Sequence, residues 1–316
     1  MTSALPAVPA TPPLHGIWPA LMTPLRADLA IDEARFAAHA RALLAAGCAG
    51  VTPFGTTGEG PSFSVAERRL AVDALVAGGV PAERILVSTS CAALPDTLAL
   101  TRHALATGAW GVLMMPPFFF KGVTDEGIVE AYRQVIDGAA DPRLRMLLYH
   151  IPQVSGVGLS AAVISTLRDL YPQTIVGIKD SGCELAHSLA LAEAFMPTPP
   201  SGFGVHVGNE LDLPALAARG SRGAVSGLAN FMPRLVRRLV TEPDASRTAA
   251  DHARVERLLA WLGGYALIPA LKAIMAAQTG DAAWLRVRAP LVALDGEPFK
   301  RFARELTALG LDPRTD

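Results

Sequence analysis

What most constrains this chain is a recurrence of eight short apolar runs, most neighbours being separated by a segment of helical periodicity. The runs are "GIWPALMTP" from Gly16, "GVTPFG" from Gly50, "ILVSTS" from Ile85, "GVLMMPP" from Gly111, "MLLYHI" from Met146, "IVGIKD" from Ile175, "FGVHVG" from Phe203 and "GAVSGL" from Gly223. Segments between them, such as "DEARFAAHARALLAAG" from Asp32 and "SVAERRLAVDALVAG" from Ser64, carry apolar residues at helical spacing, and Ser64 and Glu67 stand at capping-box distance. The runs are continuously apolar rather than alternating, which marks parallel strands covered on both faces. A strand-helix unit repeated eight times closes most simply into a (β/α)8 TIM barrel of the α/β class. An open doubly wound sheet would carry a GxGxxG turn after its first strand, and none follows "GIWPALMTP". Beyond residue 231 the pattern is purely helical, through "ARVERLLAWLGGYALIPALKAIMAAQTG" and onward, with no linker to a second domain. The expected organisation is a mobile tail over 1–13, the barrel over 14–240, and a C-terminal helical extension over 241–316 packed on the barrel.

Composition narrows the function classes. With 28 basic against 29 acidic residues, no chain-wide field attracts nucleic acid or an anionic membrane, so small-molecule partners are expected. Cys48, Cys91 and Cys183 form no CxxC pair and no Cys/His cluster at metal-ligand spacing, which implies a reduced, cytoplasmic setting and no structural zinc. The start, "MTSALPAVPATPPLHG", holds four prolines and neither the cationic segment nor the apolar stretch of a signal peptide. No run of ~18 apolar residues suggests a membrane span.

In a barrel of this kind the active site lies at the C-terminal ends of the strands, so the polar residues that close each run are informative. Strand two ends in Gly55-Thr56-Thr57-Gly58-Glu59, strand five in Tyr149-His150, and strand six in Lys179-Asp180-Ser181. Tyr149 and Lys179 are one strand-helix unit apart and fall at equivalent heights on adjacent strands. "TIVGIK" is apolar up to Lys179, and apolar surroundings withdraw solvation from the charged form, leaving a free amine that attacks ketones. A tyrosine beside it can relay the protons of carbinolamine formation and dehydration. Thr56 and Thr57, with the N–H groups of a glycine-flanked turn, can bind a carboxylate without adding a competing charge. Alone, each feature has a plainer reading: a solvated lysine, a core tyrosine, a turn with capping hydroxyls.

Together, "GTTGE" at 55–59, the Y-x-I-P-x-x-S-G-V pattern from Tyr149 to Val157, and "GIKDS" at 177–181 resemble the dihydrodipicolinate synthase/N-acetylneuraminate lyase family. The resemblance runs from about residue 15 over nearly the whole chain. It implies a barrel, usually tetrameric, that forms a Schiff base between its lysine and pyruvate or another 2-oxo acid. Lys179 would then be the Schiff-base lysine and Tyr149 the proton-relay tyrosine. Gly55, Thr56 and Thr57 would bind the carboxylate, with Thr57 also passing protons to Tyr149. Neither a cofactor nor a metal is expected, because an iminium already supplies the electron sink.

Two positions depart from the synthase branch of that family. Val154 stands where that branch has an arginine gripping the aldehyde's carboxylate, and Phe119 stands where it has a tyrosine completing a relay across a subunit contact. The expected activity is therefore cleavage or dehydration of a 2-oxo-3-deoxy sugar acid or a 4-hydroxy-2-oxo acid, with aldehyde and 2-oxo acid as partners. Synthesis of dihydrodipicolinate is the alternative, with Lys121 or Arg222 as the missing cation, and a non-catalytic 2-oxo acid binding barrel is a further one. Strand alternation points His150 away from the barrel if Tyr149 points in. His206, Asn209, Ser226 and Ser181 are candidates for the sugar end of the substrate. A mean hydropathy of +0.32 adds to the expectation of a homotetramer with buried apolar surface between subunits.

Overall fold

In the computed structural model, which describes residues 14–196, 202–241 and 245–310, all eight apolar runs are parallel strands. They are β1 (Gly16–Leu21), β2 (Thr52–Pro53), β3 (Leu86–Ser88), β4 (Gly111–Met114), β5 (Met146–His150), β6 (Ile175–Asp180), β7 (Gly204–Val207) and β8 (Gly223–Ser226). Hydrogen bonding links them in the orders β2-β1-β8 and β3-β4-β5-β6-β7. A parallel bridge between Val51 and Ile85 joins β2 to β3, and the Ser221 hydroxyl, just before β8, donates to the Val205 carbonyl of β7. The ring is a (β/α)8 barrel.

The helices that follow the strands are α1 (Glu33–Ala45), α2 (Val65–Ala77), α3 (Leu94–Ala106), α4 (Asp125–Ala139), a short α5 (Pro152–Ser155) leading to α6 (Ala161–Leu170), α7 (Leu185–Phe195), α8 (Leu213–Ala218) and α9 (Pro233–Thr241). Their starts follow local chemistry. Asp32 accepts from the Arg35 N–H at the head of α1, and Ser64 and Glu67 form the reciprocal capping box of α2. Past α9 the chain continues as α10 (Ala245–Leu262), α11 (Leu267–Thr279) and α12 (Gly296–Ala308). The expected tail over 1–13 lies outside the described residues. No single helix among the described residues is long and apolar enough to cross a membrane.

Two apolar layers hold the fold. Outward residues such as Ile17, Leu21, Val112, Met114, Met146 and Leu148 pack under the helices, whereas Trp18, Ala20, Leu113, Leu147, Tyr149, Val176 and Val225 fill the barrel. Along most strands the two sets alternate with period two. β6 breaks that rule. Met146 pairs with Ile175 but Leu147 pairs with Gly177, so Val176 is an extra residue, and the resulting bulge turns both Val176 and Lys179 towards the interior.

Candidate active site

Beyond the bulge, Tyr149 and Lys179 are direct Cα partners across β5 and β6. Lys179 Nζ donates to the Tyr149 hydroxyl at 3.4 Å and lies 4.4 Å from the centre of its ring. The lysine is 5% exposed, and no carboxylate among the described residues lies within ion-pair distance of it. The amine therefore faces an aromatic wall rather than a counter-ion. The β7 backbone crowds close behind it. A Cβ placed on Gly208 would stand 3.0 Å from Lys179 Cε and 2.1 Å from Ser181 Oγ, so only glycine leaves room there.

The turn after β2 is closed by its own amides, Glu59 N–H donating to Thr56 C=O and Gly60 N–H to Gly55 C=O, each at 3.1 Å. Gly58 and Gly60 are required by close approach, since a Cβ would meet Leu21 O at 2.6 Å and Phe54 O at 1.9 Å respectively. Thr23, which sequence reasoning missed, donates its hydroxyl to the Gly58 carbonyl at 2.7 Å and ties the turn to the end of β1. Gly55 borders open space. The Thr56 hydroxyl shares a 3.2 Å hydrogen bond with the Tyr149 hydroxyl, which makes a chain Thr56–Tyr149–Lys179. This corrects the expectation that Thr57 is the proton partner of Tyr149. Successive residues of a tight turn diverge: Thr57 Oγ1 lies 3.3 Å from where a Cβ on Gly227 would be, on the β8 side.

Several other candidates are placed elsewhere than expected. His206 is the Cα partner of Lys179, but its Nδ1–H donates to the Gly223 carbonyl at 3.2 Å and its Nε2 lies against Gly204, the first residues of β8 and β7. The imidazole thus hangs towards the N-terminal floor of the barrel, where burial lowers its pKa to about 4 and holds it neutral. Ser226 spends its proton on Glu210 Oε1 at 2.6 Å and accepts from the Ala229 N–H, so it braces the β8 turn. Asn209 accepts from the Leu211 N–H and donates to Asp212 at 3.0 Å, as a local cap. Phe119 is 72% exposed, edge-on to Phe120, and Val154 on α5 is 59% exposed; neither belongs to the buried group around Lys179 within one chain. Ser181 alone of these polar candidates stays beside the lysine, buried and with no hydrogen-bond partner for its hydroxyl among the described residues.

On the outer side of the same two strands, His150 and Asp180 are Cα partners facing α7. Asp180 accepts from His187 Nδ1–H at 2.9 Å, the Ser188 hydroxyl at 2.7 Å and the Gly182 N–H at 2.9 Å. His150, which points away from the barrel as expected, stacks on His187 with ring centres 4.7 Å apart and accepts the Leu159 N–H on Nδ1. These three side chains are close enough to suggest a metal centre. Hydrogen bonding already engages them: Asp180 takes the His187 Nδ1–H, and the Leu159 N–H occupies the His150 Nδ1 lone pair and leaves the ring proton on Nε2. The group is a hydrogen-bonded brace behind the Tyr149–Lys179 pair.

Buried among apolar walls, an amine next to a hydroxyl relay can capture a ketone and pass protons to and from it, and the threonine hydroxyls and amides of the turn beside it can receive an adjoining carboxylate. Comparison with known proteins bears on the family. Residues 13–309 match the model of the dihydrodipicolinate synthetase family. An uncharacterised DapA-like lyase of Chloroflexus aurantiacus is 33% identical over 95% of this chain and 99% of the relative. A 4-hydroxy-tetrahydrodipicolinate synthase of Methanothrix thermoacetophila is 31% identical over 78% of this chain and 80% of its own. The crystal structure of dihydrodipicolinate synthase from Agrobacterium tumefaciens superposes with a TM-score of 0.86 at 32% identity, covering 94% of this chain and 99% of that one. On motif, fold and near-complete match alike, the chain belongs to the dihydrodipicolinate synthetase family.

Proposed function

We propose that this protein is a Schiff-base lyase in which Lys179 captures pyruvate or a related 2-oxo acid, and that its reaction is cleavage or dehydration of a 2-oxo-3-deoxy sugar acid or 4-hydroxy-2-oxo acid. The Thr56–Tyr149–Lys179 chain is the observation that carries this reading. Lys179 Nζ adds to the C2 carbonyl, Tyr149 delivers the proton that lets water leave, and Thr56 returns it. In the resulting iminium the C3–C4 bond breaks as the 4-hydroxyl gives up its proton. The bonding pair moves to the iminium nitrogen as an enamine, and the aldehyde departs. Protonation at C3 and addition of water then release the 2-oxo acid and restore the amine. The Thr57 hydroxyl and the amides of the turn at Gly55 bind the substrate carboxylate, and Ser181 receives a hydroxyl near the reacting carbons.

Dihydrodipicolinate synthesis is the second reading, favoured by the names of the synthase relatives. Against it stands Val154, an aliphatic side chain where a carboxylated aldehyde needs a cation. We further assign the protein to the cytoplasm and to a homotetramer, with the exposed apolar surface of Phe119, Phe120 and Val154 lying between subunits. Borohydride reduction with pyruvate, followed by peptide mass analysis, tests the mechanism: a reduced pyruvyl adduct is expected on Lys179. Pyruvate release from a panel of 2-oxo-3-deoxy acids, beside condensation of pyruvate with aspartate semialdehyde, tests the substrate. Sedimentation tests the tetramer.

A further inference from the structure

The proposed chemistry leaves unused one fully buried pair of opposite charges, which lies directly behind the carboxylate-receiving turn. Glu59, the last residue of the G-T-T-G-E stretch, has φ 57°, a left-handed conformation that turns its side chain inward. There it forms an ion pair with Lys272 of α11, and neither side chain has any exposure. The Lys272 ammonium also donates to the Arg286 carbonyl at 2.7 Å, whereas Glu59 Oε2 has no hydrogen-bond partner among the described residues. Burial works against the charged form of Lys272 and the Glu59 carboxylate works for it.

Such a pair is a poor device for stability. Two charges lose their hydration, and apolar residues of similar volume often replace a buried ion pair with no loss. Its placement gives it another use. The Glu59 amide closes the turn onto Thr56 C=O, so displacing Glu59 moves the residue that bonds Tyr149. The preceding residue of α11, Leu271, has Cδ1 3.9 Å from the would-be Cβ of Gly227, the same point that Thr57 Oγ1 approaches at 3.3 Å. One turn of α11 therefore holds Glu59 at the end of the turn and lies near the Gly227 side of Thr57. Unlike a packed methyl, a charge pair sealed from water has one short separation at which it is satisfied, so it sets a distance.

We propose that Lys272 is a positioning residue for the Schiff-base reaction: its ion pair with Glu59 sets where the Thr56–Thr57 turn stands over Lys179, and the C-terminal extension is thereby part of the active-site wall. This rests on the lyase reading above.

The test uses the full-length protein, borohydride trapping of pyruvate on Lys179 read by mass across a range of pyruvate concentrations, and thermal unfolding of each variant. The double variant Glu59→Leu with Lys272→Met strands no charge, so it should unfold within ~5 °C of the wild type. It should nevertheless need at least ~10-fold more pyruvate for half-maximal trapping, because the carboxylate ligands have lost their stop. Glu59→Gln, isosteric and uncharged, should shift the same half-saturation in the same direction by a smaller factor, and it decides the matter if the double variant does not fold. Half-saturation at the wild-type concentration in either folded variant would overturn the proposal and leave the pair a packing element. Absence of any adduct in the wild type would instead overturn the Schiff-base reading on which it rests.

Discussion

Gly208→Ala adds a single methyl group behind the reactive amine, and the structure sets its consequences. The new Cβ would stand 2.1 Å from Ser181 Oγ and 3.0 Å from Lys179 Cε. Ser181 can swing its hydroxyl into another rotamer, but Lys179 has less freedom, because its Nζ is hydrogen-bonded to Tyr149 and its side chain is buried. Nor can the β7 backbone retreat cheaply, since Gly208 N–H donates to Asp180 C=O at 2.8 Å. Restoring ordinary contact requires the lysine tip to move by ~0.5–1 Å, and overpacking of this kind costs about 1–3 kcal/mol. A misplacement near 1 Å of a reacting group can cost ~10²-fold in rate. The expected result is a folded protein whose unfolding temperature drops by a few degrees, about 2–4 °C per kcal/mol, and whose pyruvyl adduct forms ~10–10²-fold more slowly. Gly202→Ala is the control, because a Cβ there meets nothing within 4 Å. Single-turnover trapping under saturating pyruvate, with unfolding measured alongside, separates the effects. Wild-type trapping rates in Gly208→Ala would refute the placement of Lys179 and Ser181 against β7.

Exchanging the two threonines for valine should separate their roles: Thr56→Val breaks the 3.2 Å bond to Tyr149 and should lower the maximal rate by ~10–10²-fold, whereas Thr57→Val should chiefly raise the 2-oxo acid concentration needed. Steady-state kinetics in which both variants changed the same parameter equally would put both hydroxyls to one task. His39 and His206 are held neutral by burial, each lowered from 6.5 to about 4 in the folded protein, so the unfolded chain binds more protons between those values. Stability should fall as the pH drops from 6.5 and level off below about 4, by about 3 kcal/mol per histidine, and His206→Asn should flatten the slope of urea midpoint against pH. An unchanged slope would place the titration elsewhere. Val154→Arg should improve condensation with aspartate semialdehyde relative to sugar-acid cleavage by ~10–10²-fold, since one charge-assisted hydrogen bond contributes about 1.5–3 kcal/mol. Efficient condensation by the unaltered protein would mean that another cation serves, such as Lys121, whose ammonium already donates to the Ser155 carbonyl at 2.6 Å.

What the sequence alone determined is what depends on neighbours within a few residues or on one repeated period. Eight continuous apolar runs are eight strands because each must be covered on both faces, and the Ser64–Glu67 box caps its helix because both partners lie within one turn. The one-unit spacing of Tyr149 and Lys179 brought them together because successive barrel strands pair side by side. Only the tertiary structure decided the rest. An extra residue at Val176 reverses the alternation of β6 and aims Lys179 inward, and no local pattern marks which residue of an apolar run a neighbouring strand will leave unpaired. Of two adjacent threonines, the one that meets Tyr149 is chosen by the tight turn through Gly58 and Gly60. His206 and Ser226 have the chemistry of ligands but are consumed by Gly223 and Glu210, partners that appear only when β7 and β8 come together. The lone lysine in "LIPALKAIMAAQT" has its counter-ion 213 residues earlier, at Glu59, and only the closed barrel with α11 packed behind it brings the two charges into one dry space.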